Sequence, residues 1–501
     1  MAATAPPESI AKYEAVIGLE VHVQLGTRTK IFCGCPTSFG APPNTNVCPV
    51  CLGLPGALPV LNRQAVEMAV RAALGLQCRV NPLSRFARKN YFYPDLPKGY
   101  QVTQYGETNP LGYHGYLEIP KPGGGTKRIH IRRVHLEEDT GKLMHLPSFG
   151  GKAGASGIDY NRAGTPLMEI VTGFNPETGQ PDIQTPDEAK EYLTQLRQIL
   201  LYLGVCDGKM EEGSLRCEPN ISVRLDSTQA LGTKTELKNL NSFRSVQFGV
   251  QFEVRRQIAV LEQGGKVLQE TRGWNEQRES SFLMRVKEEE NDYRYFPDPD
   301  LMPMVFEEAY IEGLRAGLPE LPLAKTLRYQ ENLGLSPYDA NILISDSAWS
   351  EYFEEAVALG GDPKAVCNWM NGEFSMFLNS DGITARESKI TPAHLVDLTK
   401  LVASGAISGK MAKDVFREIF QNGKMPSAVI KEQGATQITD EAELLPIVQA
   451  VLASRPDMVA KYRSGNVGVK GFLVGQVMKE SGGRANPQLA QKLVGDVLES
   501  E

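Results

Sequence analysis

The chain has 501 residues, a formal net charge of −7 and eight cysteines, with 41% hydrophobic and 23% charged residues. These values are near the globular average, so they exclude a collagen, a coiled coil or a wholly disordered chain. The length predicts about two to four domains. The mild acidity excludes a uniformly basic nucleic-acid coat but not a local basic patch.

The N-terminus, MAATAPPESI, has neither a basic region nor an apolar run, so we expect no secretory signal. No stretch approaches the roughly 20 apolar residues needed to cross a bilayer, and we expect no membrane contact. The sequence therefore predicts a soluble, cytoplasmic protein whose cysteines are thiols or metal ligands and not disulfides.

Short alternating runs and two amphipathic helices fill residues 13 to about 296, which predicts an α+β domain with an antiparallel sheet. The predicted strands include 14–25, 116–119, 128–138 and 214–225, the middle two forming a hairpin across a glycine-rich loop. The predicted helices span 185–205 and about 242–263. Thr185 and Glu188 are spaced as a capping box at the start of the first helix.

Helical periodicity replaces strand alternation after the proline-rich residues 296–303. Helix starts are predicted at Ser336, Thr391, Ser408, Thr439 and Asn486. We therefore expect an α+β domain at 1–296, a helical domain at 297–409 and a helical tail at 410–501.

Two close cysteine pairs, Cys33 with Cys35 and Cys48 with Cys51, are separated by twelve residues. Four thiolates in a tetrahedron favour Zn²⁺ and leave no open coordination position, so we expect structural zinc. The alternative is four buried free thiols.

The first strand places Glu20, His22 and Gln24 on one face, where a carboxylate and an imidazole can share one metal ion. The strand at 214–225 places Arg216 and Glu218 on one face, a mixture that suits ligand contacts. The alternative for both strands is a solvated outer face.

Further charged clusters lie near strand ends. They are Glu137, Glu138 and Asp139; Glu211 and Glu212; and Lys234, Glu236 and Lys238. Carboxylate oxygens suit Mg²⁺, and cations neutralise charge on a transferred phosphoryl group. A solvated turn is the alternative for each cluster. Because no P-loop or Rossmann motif is present, an ATP site would use a sheet face and metal-binding acids.

Two segments carry additional polar or aromatic patterns. Residues 152–171 supply Asp159, Asn161, Arg162 and Glu169 around a turn, and an ordinary surface loop is the alternative. Residues 86–105 interleave cations with aromatics, a pattern that can stack bases and hold phosphates. Its alternative is an aromatic core segment with cations at the surface.

Together these motifs closely resemble the B subunit of the bacterial tRNA-dependent amidotransferases, the GatB family. The matching motifs, in order from 18 to 301, are GLEVHVQL, CxC…CxxC, ARKNYFYPDLPKGYQ, VHLEEDTGK, IDYNRAGTPLMEIV, GSLRCEPNISVR, GTKTELKNLNSF and NDYRYFPDPDL. The helical remainder also fits, so the resemblance covers almost the whole chain.

The resemblance implies a glutamine-synthetase-like core and an ATP-dependent ligase that works in a complex with A and C subunits. Its substrate is Glu-tRNA(Gln), Asp-tRNA(Asn) or both. ATP phosphorylates the side-chain carboxylate of the aminoacyl group. Ammonia that the A subunit makes from glutamine then reaches the ligase through a tunnel and displaces phosphate. The alternative is a non-catalytic tRNA-binding scaffold in the same complex.

The resemblance also implies residue roles. Glu20, His22, Glu137 and Glu211 are expected to be Mg²⁺ ligands or near neighbours of the ion. Phosphate, nucleotide or tunnel contacts are expected from Glu138, Glu212, Arg216, Lys234 and Glu236. The choice between adjacent acids, 137 or 138 and 211 or 212, stays open.

The tail combines six cationic side chains with one carboxylate, Glu480, between residues 458 and 495. The cations are Lys461, Arg463, Lys470, Lys479, Arg484 and Lys492. We expect the first five to face the phosphates of tRNA. A solvated helix surface is the alternative.

Overall fold

The computed structural model describes residues 10–104, 110–145, 156–286, 293–433, 438, 440–482 and 484–500. Parts of the segments discussed above, namely Tyr105, 152–155, 291–292 and Thr439, lie outside the described residues. The chain divides into two compact units, Met1–Leu323 and Ala324–Glu501.

The described strands lie in the first unit. They are β1 (Glu14–Gln24), β2 (Arg79–Val80), β3 (Leu83–Ser84), β4 (Ala87–Asn90), β5 (Tyr100–Thr103), β6 (Gly112–Pro120), β7 (Thr126–Glu138), β8 (Lys142–His145), β9 (Ser156–Asp159), β10 (Pro166–Thr172), β11 (Leu215–Arg224), β12 (Thr235–Lys238), β13 (Glu270–Asn275), β14 (Ser280–Val286), β15 (Phe296–Pro297) and β16 (Met304–Val305). Among the described residues, one 12-stranded sheet has the order β14-β13-β12-β11-β1-β10-β7-β5-β4-β15, with β6 beside β7 and β2 beside β6.

The helices of this unit are α1 (Arg63–Gly75), α2 (Pro186–Tyr202), α3 (Phe243–Glu262) and α4 (Glu308–Ala316). The predicted α+β class is confirmed, but the expectation of an antiparallel sheet is wrong at one pair, since β12 and β13 are parallel. Helix α3 connects these two strands along the chain. A strand–helix–strand crossover of this kind permits parallel pairing, so the sheet is mixed.

Local sequence signals set the two long helices of the first unit. Thr185 caps α2 by accepting a hydrogen bond from the Glu188 backbone N–H at 3.2 Å, and the capping box predicted from these two residues is confirmed. Ser242 caps α3 by accepting from the Ser245 N–H. Both helices bury their apolar stripes in the hydrophobic core that also covers one face of the sheet.

Strand β1 lies near the middle of the sheet, with β10 on one side and β11 on the other. Leu19, Val21 and Val23 are at most 1% exposed and belong to this core. Because side chains alternate along a strand, the intervening polar residues of β1 lie on the opposite face. Burial of the apolar set therefore fixes which side of the sheet carries the candidate site.

The first unit continues past residue 296, because Met304, Phe306 and Ile311 belong to its core. The second unit is helical. Its helices are α5 (Pro322–Leu333, which starts at the boundary), α6 (Pro337–Leu343), α7 (Ser347–Ala358), α8 (Pro363–Trp369), α9 (Ser375–Asp381), α10 (Pro392–Ala403), α11 (Gly409–Asn422), α12 (Pro426–Gln433), α13 (Glu441–Ala453), α14 (Pro456–Arg463), α15 (Val469–Glu480) and α16 (Pro487–Ser500). A π-helical turn, Met370–Phe374, joins α8 to α9.

The helix starts predicted at Ser336, Thr391, Ser408 and Asn486 are confirmed. Helix α13 begins after Asp440, whose carboxylate accepts from the Ala442 N–H, one residue later than the start expected from Thr439. Within the described residues, no helix is long and apolar enough to span a membrane.

Truncation of Leu196 tests how α2 is anchored. Its side chain is 0% exposed, so Leu196→Ala leaves a cavity and should lower the free energy of unfolding by about 2–5 kcal/mol. Native-state hydrogen exchange of α2 amides measures the loss. The matched control is Leu231→Ala, a residue 52% exposed in a loop, which should change stability by less than about 0.5 kcal/mol. Equal effects of the two variants would contradict the packing.

Candidate active site and cysteine centre

Three of the predicted site residues meet on the polar face of the sheet. His22 Nδ1 lies 3.2 Å from Glu137 Oε1, and His22 Nε2 lies 3.2 Å from Glu20 Oε1. The imidazole therefore lies between two carboxylates, one from its own strand, β1, and one from β7. The Glu137 side chain is 6% exposed and the Glu20 side chain 33%, so one carboxylate is enclosed and the other faces solvent.

Two further residues, not assigned as ligands from sequence, complete this group. Glu169 on β10 is paired in register with His22 on one side and with His135 of β7 on the other. His135 Nε2 lies 3.4 Å from Glu169 Oε2. The alternation of Arg133, His135 and Glu137 in β7 is a sequence signal that could have indicated the second histidine.

The five side chains form what we call the acid–histidine group: Glu20, His22, His135, Glu137 and Glu169. They make two overlapping sets of potential metal ligands, Glu20–His22–Glu169 and His135–Glu137–Glu169, each with its ligand atoms within 4.8 Å of one another. Three carboxylates supply the oxygen ligands that Mg²⁺ prefers. The donor set therefore fits a divalent cation.

Electrostatics in the acid–histidine group reflect its excess of carboxylates. Burial lowers the pKa of His22, but hydrogen bonds to Glu137 and Glu20 raise it by more, so the pKa lies well above the ordinary value. Burial raises the pKa of Glu169, but the charges of His135, His22 and Arg133 lower it below the ordinary range. Both shifts favour charged forms, as expected where opposite charges lie close together in a buried site.

Arg216 of β11 is paired with His22 in register, but its guanidinium contacts another acid. Its Nη2 lies 2.9 Å from Asp139 Oδ2, and Gln24 Nε2 donates to the same oxygen at 2.7 Å. Arg162 Nε lies 3.6 Å from that oxygen. Burial raises the pKa of Asp139, but the charges of Arg216 and Arg162 lower it by a larger amount. The pKa therefore lies below its ordinary value.

Glu138 lies on the opposite face of β7 from Glu137, as strand alternation requires. It accepts from Lys98 Nζ at 2.6 Å and from the Val102 N–H at 2.8 Å. Its carboxylate is thus paired with a cation away from the acid–histidine group. For the pair 137 and 138, the structure brings only Glu137 to His22.

Glu211 and Glu212 lie in the turn before β11 and are not brought into the acid–histidine group. Glu212 pairs with Lys209 at 2.8 Å. Both glutamates line a cavity of about 450 Å³ together with Arg162 and Arg216. The assignment of Glu211 to Mg²⁺ stays a prediction.

Strand β12 contributes Lys238 to the polar face. Its Nζ lies 2.7 Å from Glu218 Oε2 and 3.2 Å from Glu236 Oε1. Glu236 also accepts from Thr271 Oγ1 at 2.9 Å. Lys234, the residue predicted from sequence, is exposed in the coil before β12. The structure therefore brings Lys238 among the acids and leaves Lys234 outside.

An aromatic and cationic cavity of about 600 Å³ opens on this side of the first unit. It is lined in part by Lys89, Tyr91, Lys238, Arg285 and Tyr293. Lys89 Nζ lies 4.7 Å from the ring centroid of Tyr293. Burial lowers the pKa of Lys89, but surrounding groups that include Tyr295, Glu137 and Glu169 raise it by more. The predicted aromatic–cation segment thus lines a cavity near the acid–histidine group.

The four cysteine sulfurs Cys33, Cys35, Cys48 and Cys51 lie within 4.8 Å of one another, and none forms a disulfide. A tetrahedron with Zn–S bonds of about 2.3 Å has sulfur–sulfur edges of about 3.8 Å. The arrangement therefore fits a four-thiolate metal centre. A hydrogen bond from Cys33 and the charge of Lys30 together outweigh the effect of burial and lower the pKa of Cys51 to about 4. The pKa of Cys35 is raised to about 11, mainly by burial.

The cationic residues predicted in the tail lie on or between the last helices. Lys461 and Arg463 end α14, Lys470 and Lys479 lie on α15, and Arg484 follows it. Lys461, Arg463, Lys479 and Arg484 are exposed. Lys492 on α16 is paired with Glu441 at 2.6 Å.

Comparisons with known proteins define the class. The chain matches the GatB/GatE catalytic domain over residues 15–312 and the GatB domain over residues 351–498. It is 49% identical to the B subunit of the aspartyl/glutamyl-tRNA(Asn/Gln) amidotransferase of Brevibacillus brevis, over 98% of this chain and 100% of the relative. The B subunits of the same name from Thermodesulfovibrio yellowstonii and Caldanaerobacter subterraneus are 51% and 52% identical, each over 97% of this chain and 99% of the relative.

The α+β domain and its polar sheet face are therefore those of a GatB/GatE-type catalytic domain. The full-length similarity then settles the narrower class, and the chain belongs to the GatB family.

Metal analysis tests the cysteine centre. The purified chain should contain about one zinc ion, and Cys51→Ser should lose most of it because a tetrahedral thiolate site needs all four ligands. Cys206→Ser, at a half-buried cysteine of the same unit outside the cluster, is the matched control and should keep the metal. A folded wild-type chain without metal would contradict the assignment.

Proposed function

We propose that this chain is the amide-forming member of a tRNA-dependent amidotransferase, acting with a glutaminase (the A subunit) and with a C subunit. Its family membership and the names of its relatives support this function. The acid–histidine group is the observation that carries the catalytic part, because it gathers three carboxylates and two histidines on one sheet face.

The proposed reaction converts Glu-tRNA(Gln), Asp-tRNA(Asn) or both into the matching amide. A side-chain carboxylate is a poor electrophile, so its oxygen first takes the γ-phosphoryl group of ATP, and ADP leaves. Ammonia then attacks the acyl carbon and phosphate departs. The proposed location of this reaction is the cytoplasm.

In this proposal the acid–histidine group binds Mg²⁺, which neutralises the negative charges of ATP phosphates and substrate carboxylate that must approach each other. Glu20, Glu137 and Glu169 supply the oxygen ligands. His22 holds Glu20 and Glu137 by its two ring nitrogens, and this fixes both carboxylates in one orientation. Positioning of this kind lowers the barrier because the reacting groups are already aligned.

The aromatic and cationic cavity is the proposed route for the nucleotide or the aminoacyl end of tRNA. Tyr91 and Tyr293 offer ring faces for stacking, and Lys89, Lys238 and Arg285 supply positive charge. Lys238 lies between Glu218 and Glu236 and therefore links this cavity to the acids of the sheet.

The proposal also assigns a role to each domain of the chain. The first unit, Met1–Leu323, carries a catalytic cradle with a glutamine-synthetase-like core. The helices that follow it up to residue 409 form a helical domain, and residues 410–501 form a tail that binds tRNA. The cysteine centre is proposed to hold structural Zn²⁺.

Tests of catalysis use this chain reconstituted with its A and C partners, Mg-ATP and Glu-tRNA(Gln). ADP formation should depend on the mischarged tRNA. It should fall by about 10²-fold or more in Glu20→Ala, His22→Ala and Glu169→Gln, because each removes a group that holds or neutralises charge at the reacting centre. Glu177→Ala, at an exposed loop carboxylate, is the control and should keep full turnover.

The same assay separates the two functional hypotheses. Lost turnover with intact tRNA binding in the three variants would reject a non-catalytic scaffold. Undiminished turnover in all three would reject the site, since a catalytic role requires these groups.

Neutralising the tail tests the tRNA assignment. Lys461→Gln combined with Lys479→Gln should weaken tRNA binding, and the slope of log Kd against log salt should fall by about 1 for each phosphate interaction that is removed. Filter binding at several salt concentrations measures both effects. Lys190→Gln, an exposed lysine on α2, serves as the control. An unchanged slope in the double variant would place the tRNA-binding surface elsewhere.

A further inference from the structure

Lys30 is a fully buried lysine beside the cysteine centre, with 0% of its surface exposed. Its Nζ donates to Cys51 Sγ at 3.6 Å and to the Tyr160 carbonyl oxygen at 3.3 Å. Within the part of the chain that the structure describes, no carboxylate lies within ion-pair distance of this ammonium group. A buried charge without a partner is very unfavourable, and the Cys51 sulfur is the group beside Lys30 that can supply a negative charge as a thiolate.

A cation near the cysteine centre would in turn balance the negative charge of its thiolates. Four thiolates and one divalent ion carry a net charge of about −2, and the site is partly enclosed. Groups that donate hydrogen bonds to metal ligands orient those ligands and change the affinity for the metal. Lys30 is placed for this role, since its backbone N–H also donates to the Cys35 carbonyl at 3.0 Å.

The loop between the cysteine pairs is hydrogen-bonded to the turn that follows β9. Asn44 donates from its backbone N–H to Asp159 Oδ1 at 3.0 Å and accepts at Oδ1 from the Tyr160 N–H at 2.8 Å. The Asn46 N–H donates to Asn161 Oδ1 at 2.8 Å. Asn44 has φ of 60°, a left-handed conformation that asparagine tolerates better than most residues. These contacts join the cysteine loop to residues 159–161.

The same turn leads directly to the polar face of the sheet. Arg162 approaches the Asp139 carboxylate at 3.6 Å, and the Gly164 N–H donates to the Asp139 carbonyl at 2.9 Å. The Ile31 N–H, next to Lys30, donates to the Gly164 carbonyl at 2.9 Å. A continuous set of hydrogen bonds thus connects the cysteine centre with Asp139, the acid held by Arg216.

We infer that Lys30 is a positioning residue that couples metal binding at the four cysteines to the turn at residues 159–164. Its ammonium group balances the thiolates and holds the Tyr160 carbonyl, so filling the centre orders the turn that carries Arg162. This inference rests on the proposed zinc site and is independent of the amidotransferase activity.

The first test measures zinc affinity of the full-length chain by competition with a chromophoric chelator. Lys30→Met keeps a similar side-chain length but removes the charge and the donor, and it should weaken zinc binding by about 10- to 100-fold. Lys266→Met, at an exposed lysine, is the matched control and should bind zinc as the wild type does. Equal affinity of Lys30→Met and the wild type would overturn the inference.

A second test uses the wild-type chain alone and stays decisive if Lys30→Met does not fold. Hydrogen exchange is compared before and after zinc is removed by chelation. Peptides covering residues 156–164 should lose protection, whereas peptides of α2 should not. Unchanged protection at 156–164 would overturn the coupling. A wild-type chain that contains no metal would reject the zinc site and this inference with it.

Discussion

The pairing of β1 with β10 and β11 is the constraint on which the candidate site depends. It sets His22 opposite Glu169 on one side and opposite Arg216 on the other. A slip of one residue would move every polar side chain of β1 into the core, because strand side chains alternate between faces. Burial of Val21 and Val23 against the helices opposes that slip, so hydrophobic packing on one face fixes the chemistry of the other.

Charge balance is the second organising feature of this unit. Asp139 is neutralised by arginines, and Glu138 by Lys98. The acid–histidine group is different, because its carboxylates are balanced mainly by histidines. Buried charges need partners, and a divalent cation is a partner that this donor set fits. The contrast between these acids explains why neighbouring residues in one short motif have separate proposed roles.

The cysteine centre is a further place where buried charged groups lie close together, near Asp139. Its loop forms hydrogen bonds through asparagines to the turn that carries Arg162, and a buried lysine lies between the sulfurs and that turn. A metal centre in this place would cross-link residues 33–51, the loop that is hydrogen-bonded to residues 159–161. Its proposed role is therefore to hold the surroundings of Asp139 as well as to stabilise the local fold.

The local features could be predicted from the amino-acid sequence: strand alternation in β1 and β11, the capping box of α2, most helix starts, and the close spacing of the cysteines. Each depends on residues near one another along the chain. Three features became visible only in the folded chain: Glu169 and His135 join Glu20, His22 and Glu137; Lys238 and not Lys234 lies among the acids; and β12 and β13 are parallel. These outcomes depend on strand order and register, which arise from pairing between segments far apart in sequence and are not encoded in any single motif.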